Sequence, residues 1–154
     1  MQDEQIRTLV PVRIRVEILH YRNGKLIERY KGGDIVGSVG RDWLCAKTAG
    51  TPTLARGTYI RYSAIGTGQA APASGQTALG GPIYRGTVTY TKDSATGSAS
   101  LDRTFSIGST YAMRESGLFV QKAGGTMYCR GTYPVKNVSS GDQITVRYTQ
   151  GFST

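Results

Sequence analysis

Residues 11–19 read PVRIRVEIL, and this stretch decides the fold. Val12, Ile14, Val16 and Ile18 alternate with Arg13, Arg15 and Glu17, the period of two expected of a strand with one face buried and one in water. Tyr21-Arg22-Asn23-Gly24-Lys25 follows. Asn-Gly is the preferred pair for a tight hairpin because both residues tolerate positive φ, so Leu26 to Tyr30 is the predicted return strand. Further runs of the same kind follow along the chain. They are Thr58 to Ile65, Tyr84 to Tyr90, Ser98 to Ile107, Met113 to Val120, Gly124 to Arg130, an irregular run from Thr132 to Val138 around Pro134, and a last strand with Ile144, Val146 and Tyr148. Short runs separated by turn residues predict an all-β protein, an antiparallel β-sandwich of jelly-roll-like type. One segment changes period: Val39, Trp43, Leu44 and Lys47 fall about a helical turn apart. A short helix is predicted near residues 39–48, with Asp42 and Lys47 placed to suit its dipole and Gly50 and Pro52 to stop it. Trp43 is read as a core anchor.

The 154 residues suit one domain, read as an amino-terminal arm over residues 1–10 and a single β-sandwich over residues 11–154. Lys+Arg 19 against Asp+Glu 10 gives a net charge of +9, enough to attract polyanions. The cations are spread along the chain and read first as a solvated surface. An acidic partner surface or a nucleic acid is the less favoured reading. No run approaches the roughly 18 apolar residues that span a bilayer, and MQDEQIRT is too polar for a signal peptide, so the protein is expected to stay where it is made. Cys45 and Cys129 lie far apart with no CxxC spacing. They read as free thiols, with a bridge between them the alternative.

No residue pattern calls for catalysis, a cofactor or a metal. His20 stands alone at the end of the first strand and is read as structural. Gly66-Thr67-Gly68 lacks the G-K-[ST] ending or G-x-G-x-x-G spacing of a phosphate cradle. Glu115 sits among apolar neighbours, where burial demands a cationic or backbone partner such as Arg85 or Arg130. Asp102 and Asp142 read as solvent-face or turn residues, so the second carboxylate of a glycosidase pair is missing. Arg103 interrupts an apolar face and is read as an edge-strand guard before a contact residue. Between two strands, residues 64–85, AIGTGQAAPASGQTALGGPIYR, form a loop pinned at both ends. Its middle of Gly, Pro, Ala and Ser suits an exposed crossing, and Gln69, Pro72, Ser74 and Gln76 are the candidate contact residues at its tip.

The order IGTG, a Pro-containing loop, TAL, PIYR, then RESGLF and GGTMYCR, over roughly residues 59 to 148, resembles a recurrent domain of tailed-bacteriophage virion proteins. That domain occurs in small stand-alone structural proteins and in the virion-attaching part of tail-fibre and tail-collar proteins. The stretch from Arg13 through Leu44 is similar to the stand-alone versions. The resemblance implies that Gly66, Gly68, Leu79, Tyr84, Arg85, Glu115, Gly117, Leu118, Phe119 and Met127 shape the fold, with Arg85 and Glu115 as an internal ion pair, and it assigns no catalytic residue. With no repetitive shaft in the sequence, it implies an adaptor or decorating subunit. The expected protein is a non-enzymatic, multicopy virion subunit on the tail, collar or baseplate, with a cement role on the head exterior as the alternative. It would be assembled in the bacterial cytoplasm and homo-oligomeric, with other virion proteins as partners and no membrane. A nucleic-acid-binding module, suggested by the charge and ten tyrosines, is the alternative from another class. A polysaccharide-degrading enzyme ranks third.

Overall fold

The computed structural model describes residues 12–33, 35–36, 60–73, 75–93, 95, 98–125 and 127–152. The opening alternation forms β1 (Val12–Arg22), and the chain reverses through Asn23 (φ 51°) and Gly24 (φ 75°) into β2 (Lys25–Gly33). Two central residues at positive φ give the hairpin turn whose twist matches that of the flanking strands. The remaining strands are β3 (Ile35–Val36), β4 (Tyr62–Gly66), β5 (Pro82–Thr87), β6 (Thr89–Asp93), β7 (Ser98–Ser106), β8 (Tyr111–Phe119), β9 (Met127–Val138) and β10 (Gln143–Phe152). Among the described residues the chain is all β, with no helix. The helix expected near residues 39–48, Trp43, Cys45 and the arm over residues 1–10 lie outside the described residues.

The strands form two five-stranded sheets, ordered β2-β1-β10-β7-β6 and β3-β9-β8-β4-β5. Every pairing is antiparallel. The first and last strands are neighbours, with Ile14 opposite Gln150 and Ile18 opposite Val146. The inward residues of one sheet, among them Ile14, Val16, Ile18, Phe105, Ile144, Val146 and Tyr148, pack in one cluster with Ile65, Met113, Leu118, Tyr128, Cys129 and Val138 of the other. Each such side chain taken fully out of water contributes roughly 1.5–3 kcal/mol, so the alternation read in residues 11–19 places the core between the sheets. Tyr84, half-buried against this cluster, stacks on Phe105 at 6.3 Å between ring centroids, and the Tyr148 hydroxyl bonds Ser116 Oγ at 2.7 Å across the layers. At one margin the sheets are tied by Tyr30 against Tyr133, 5.9 Å between centroids, and by the buried Lys136 paired with Glu28. Cys129 is fully buried.

Two expectations are corrected and a third is borne out. The run from Tyr84 to Tyr90 is two strands: the chain leaves one sheet after Thr87 and enters the other at Thr89. Val88 forms the corner, its N–H donating to Arg61 O at 2.8 Å, because a strand that changes layer must bend out of its ladder. Arg103 guards no edge, since β7 is flanked by β10 and β6. Its guanidinium instead lies 5.5 Å from the Phe105 ring centroid and over Gly86 of the opposite sheet. The irregular run around Pro134 belongs to the single strand β9. Pro134 falls where three residues of β9 bulge against Arg114, the kind of position in which a missing N–H is tolerated.

Candidate functional site

Alternation along β4 and β8 sends Ile65 and Leu118 into the shared core and turns Ala64, Gly117 and Phe119 to the opposite face of their sheet. Those outward residues are nevertheless buried. The glycine-rich loop between β4 and β5 folds back over them as a flap and packs Leu79 against Ala64, Phe119 and Met127, with Tyr62 at the margin. A loop expected to cross in the open therefore builds a second small apolar cluster through its one buried leucine.

Glu115 fixes the flap. Its side chain is fully buried, at 0 % exposure. Oε1 accepts the N–H groups of Gly68 at 2.8 Å and Gly81 at 2.7 Å, and Oε2 accepts Gly80 N–H at 3.0 Å and Arg130 Nε–H at 2.9 Å. Arg130 Nη2 adds a 2.8 Å ion-pair contact. Arg130, itself buried, donates through Nη1 to Ala70 O at 2.9 Å and to Gln76 Oε1 at 3.0 Å, so one guanidinium joins the carboxylate to the crown of the loop. Thr67 N–H to Gly81 O, 2.8 Å, closes the neck. A Cβ at Gly68 would lie 2.5 Å from Glu115 Oε1, which explains why this position is glycine.

Burial pushes the Glu115 carboxyl up, but the N–H groups of Gly81, Gly80 and Gly68 and the Arg130 side chain outweigh it and hold the group below its ordinary value. The carboxylate stays ionised near neutral pH, with both oxygens occupied. It is a clamp, unsuited to donating a proton to a substrate.

The ion pair expected between Arg85 and Glu115 is not formed: Arg130, the other partner weighed, takes that place. Arg85 instead lies with Cζ 3.6 Å from the Phe119 ring centroid and donates through Nη1 to Gln121 O at 3.1 Å and Gly124 O at 2.9 Å. Gly66, Gly68, Leu79, Arg85, Glu115, Gly117, Phe119 and Met127 thus converge on the flap and its floor, while Leu118 belongs to the main core and Tyr84 packs against it. Of the candidate contact residues, Gln69 is exposed and Pro72 half-buried. Gln76 turns inward, accepting from Ala73 N at 3.0 Å as well as from Arg130, and donating to Ala71 O at 3.3 Å. Ser74 lies outside the described residues.

Asp142 lies in the Ser139–Asp142 turn, one of the two settings expected for it, but its surroundings differ from those expected. It is buried at 3 % exposure, not a solvent-face residue. Its carboxylate contacts His20 Nε2 at 2.8 Å and accepts from Arg22 Nε at 3.0 Å, Arg22 Nη2 at 2.9 Å and Ser139 N at 2.9 Å. Arg22 above all holds this carboxyl well below the ordinary carboxylate range. His20, alone in the sequence, thereby gains a partner 122 positions away. The cluster fastens the β9–β10 turn to the β1–β2 hairpin. Only the polar turn Ser139-Ser140-Gly141-Asp142 hinted at it, since an Asp in a turn bonds nearby backbone N–H groups.

A groove of about 710 Å³ runs over the outer face of the other sheet, past Leu19, Tyr21, Thr89, Asp102, Thr145 and Arg147. Its polar groups bond one another: Arg147 Nε to Asp102 Oδ2 at 3.0 Å, and Thr104 with Thr145 at 2.8 Å. Among the described residues no cluster of three His, Cys, Asp or Glu side chains is placed to hold a metal ion. Tyr128, Tyr133 and Tyr148 are buried, whereas Tyr90 is 60 % exposed. No protein-family model, curated protein or solved structure matches this chain.

Proposed function

We propose that this chain is a non-enzymatic structural subunit of a tailed-bacteriophage virion, present in several copies on the tail, collar or baseplate as an adaptor or fibre-attachment protein. One observation carries the reading. Most of the residues that give the sequence its likeness to virion proteins, from IGTG through RESGLF to GGTMYCR, build the flap, its clamp and its floor. They are engaged in shaping a surface, and the buried carboxylate among them is saturated by donors. The pairing of β1 with β10 and of β3 with β9 supports a jelly-roll-like sandwich as the body. The rigid body serves as a spacer, and the flap and the amino-terminal arm serve as contact elements.

Mass spectrometry of purified virions and of tail-less heads tests this. Detection in virions but not in heads is the expected result. Detection in heads moves the subunit to the capsid exterior as a cement protein, and absence from both preparations ends the reading.

A further inference from the structure

Among the described residues four strand edges bound the two sheets: β2, β6, β3 and β5. Open edges invite pairing with other chains, and proteins blunt them by shortness, proline, bulges or charged side chains. Three edges here are blunted. β3 has 2 residues, β6 has 5, and β5 has 6 and begins with Pro82. β2 is different. It runs for 9 residues, with one register shift against β1 that leaves Ile27 as an extra residue, and it is guarded by charge more than by shortness: its side chains from Lys25 to Arg29 are exposed, and Leu26 and Ile27 stand 43 % and 49 % exposed.

The charge along this edge selects the partner. Lys25, Arg29 and Lys31 lie on β2, with exposed Arg15 and Arg22 on the adjoining strand. The two carboxylates of the hairpin are already engaged: Glu17 lies among Arg29 at 3.7 Å, Lys31 at 3.9 Å and Arg147 at 3.8 Å, and Glu28 pairs with Lys136. A second copy is a poor occupant. Beyond the register shift, if two β2 strands paired antiparallel about a two-fold at Arg29, that residue would oppose itself; about Tyr30, Arg29 would oppose Lys31. Like charges directly opposite destabilise a ladder, whereas opposite charges support it.

We propose that the β2 edge accepts an extended acidic segment of a partner protein as an added strand, with the ladder giving affinity and Arg29 and Lys31, on one face of the strand, giving selectivity. The inference rests on the edge alone and holds whether or not the chain is a virion subunit, so either reading can fail without the other.

The probe is a capped nine-residue peptide alternating glutamate with valine and threonine, titrated into the full-length ¹⁵N-labelled chain. Expected are amide shifts concentrated on residues 25–33, no binding by the lysine counterpart, and loss of binding when alternate backbone nitrogens of the acidic peptide are methylated. The pair Arg29→Glu with Lys31→Glu should weaken binding by about tenfold or more, since like charges then stand opposite each other. Lys31→Glu alone, at the more exposed of the two positions (69 % against 53 % for Arg29), should weaken it in the same direction. The proposal is overturned if shifts lie elsewhere, if none appear up to millimolar peptide, or if the methylated peptide binds equally well. A single-stranded oligonucleotide binding this edge as tightly as the peptide would also overturn it.

Discussion

Arg130 stands diagonally across the β8–β9 ladder from Glu115, since Gly117 is its register partner and Thr132 that of Glu115, yet the two side chains meet at 2.9 Å beneath the flap. Removing one member of a buried pair leaves the other uncompensated, at a cost of about 3–5 kcal/mol. Glu115→Gln should lower the unfolding free energy by that order in a denaturant titration. Glu115→Gln combined with Arg130→Met should cost less than the sum of the single changes, the signature of direct coupling.

Gly68→Ala drives a methyl group against the Glu115 carboxylate. The flap should lift while the core between the sheets persists. Limited proteolysis should then cut within residues 67–81 under conditions in which the unaltered chain resists, with the overall β signature in circular dichroism retained.

Leu79→Ala empties the flap's one apolar anchor, buried at 6 % exposure over Ala64, Phe119 and Met127. Large-to-small changes at such sites cost about 2–5 kcal/mol. The lower end is expected here, because a loop relaxes into a void more readily than a sheet does. Hydrogen exchange should accelerate in the flap and hardly at all in β1 and β10.

Both Glu115 and Asp142 titrate lower in the folded chain than their ordinary values of 4.5 and 3.8. The unfolded chain therefore binds more protons in acid. The stabilisation is full above about pH 5 and is lost as pH falls through the ordinary carboxylate range toward the folded values. Thermal midpoints should drop steeply between about pH 5 and 3, and Asp142→Asn should flatten that slope while lowering the plateau at neutral pH.

The local half of this fold was legible. Alternation over residues 11–19 and the Asn23–Gly24 pair placed β1, the hairpin and β2 because both are properties of adjacent residues. The pairing of β1 with β10 was not legible, since no local pattern names a strand more than 120 residues away. The corner at Val88 escaped for a related reason: alternation continues through it and says nothing about which sheet receives each half. At the candidate site, the burial of Glu115 could be read from its apolar neighbours, and its cation narrowed to two. The choice of Arg130 over Arg85 depends on which side chain the sheet turns toward the flap. Asp142 sits in a turn sequence that would look the same in water, and only the packing of His20 and Arg22 against it closes it off.

The crown of the flap is held largely through main-chain atoms: Ala70 O accepts from Arg130, while Gln76 donates to Ala71 O and accepts from Ala73 N. Form and outward chemistry are thereby separated. Side chains at 69, 71 and 73 can be exchanged to alter what the surface greets without altering its contour, making this loop a natural place to graft a tag or a new specificity.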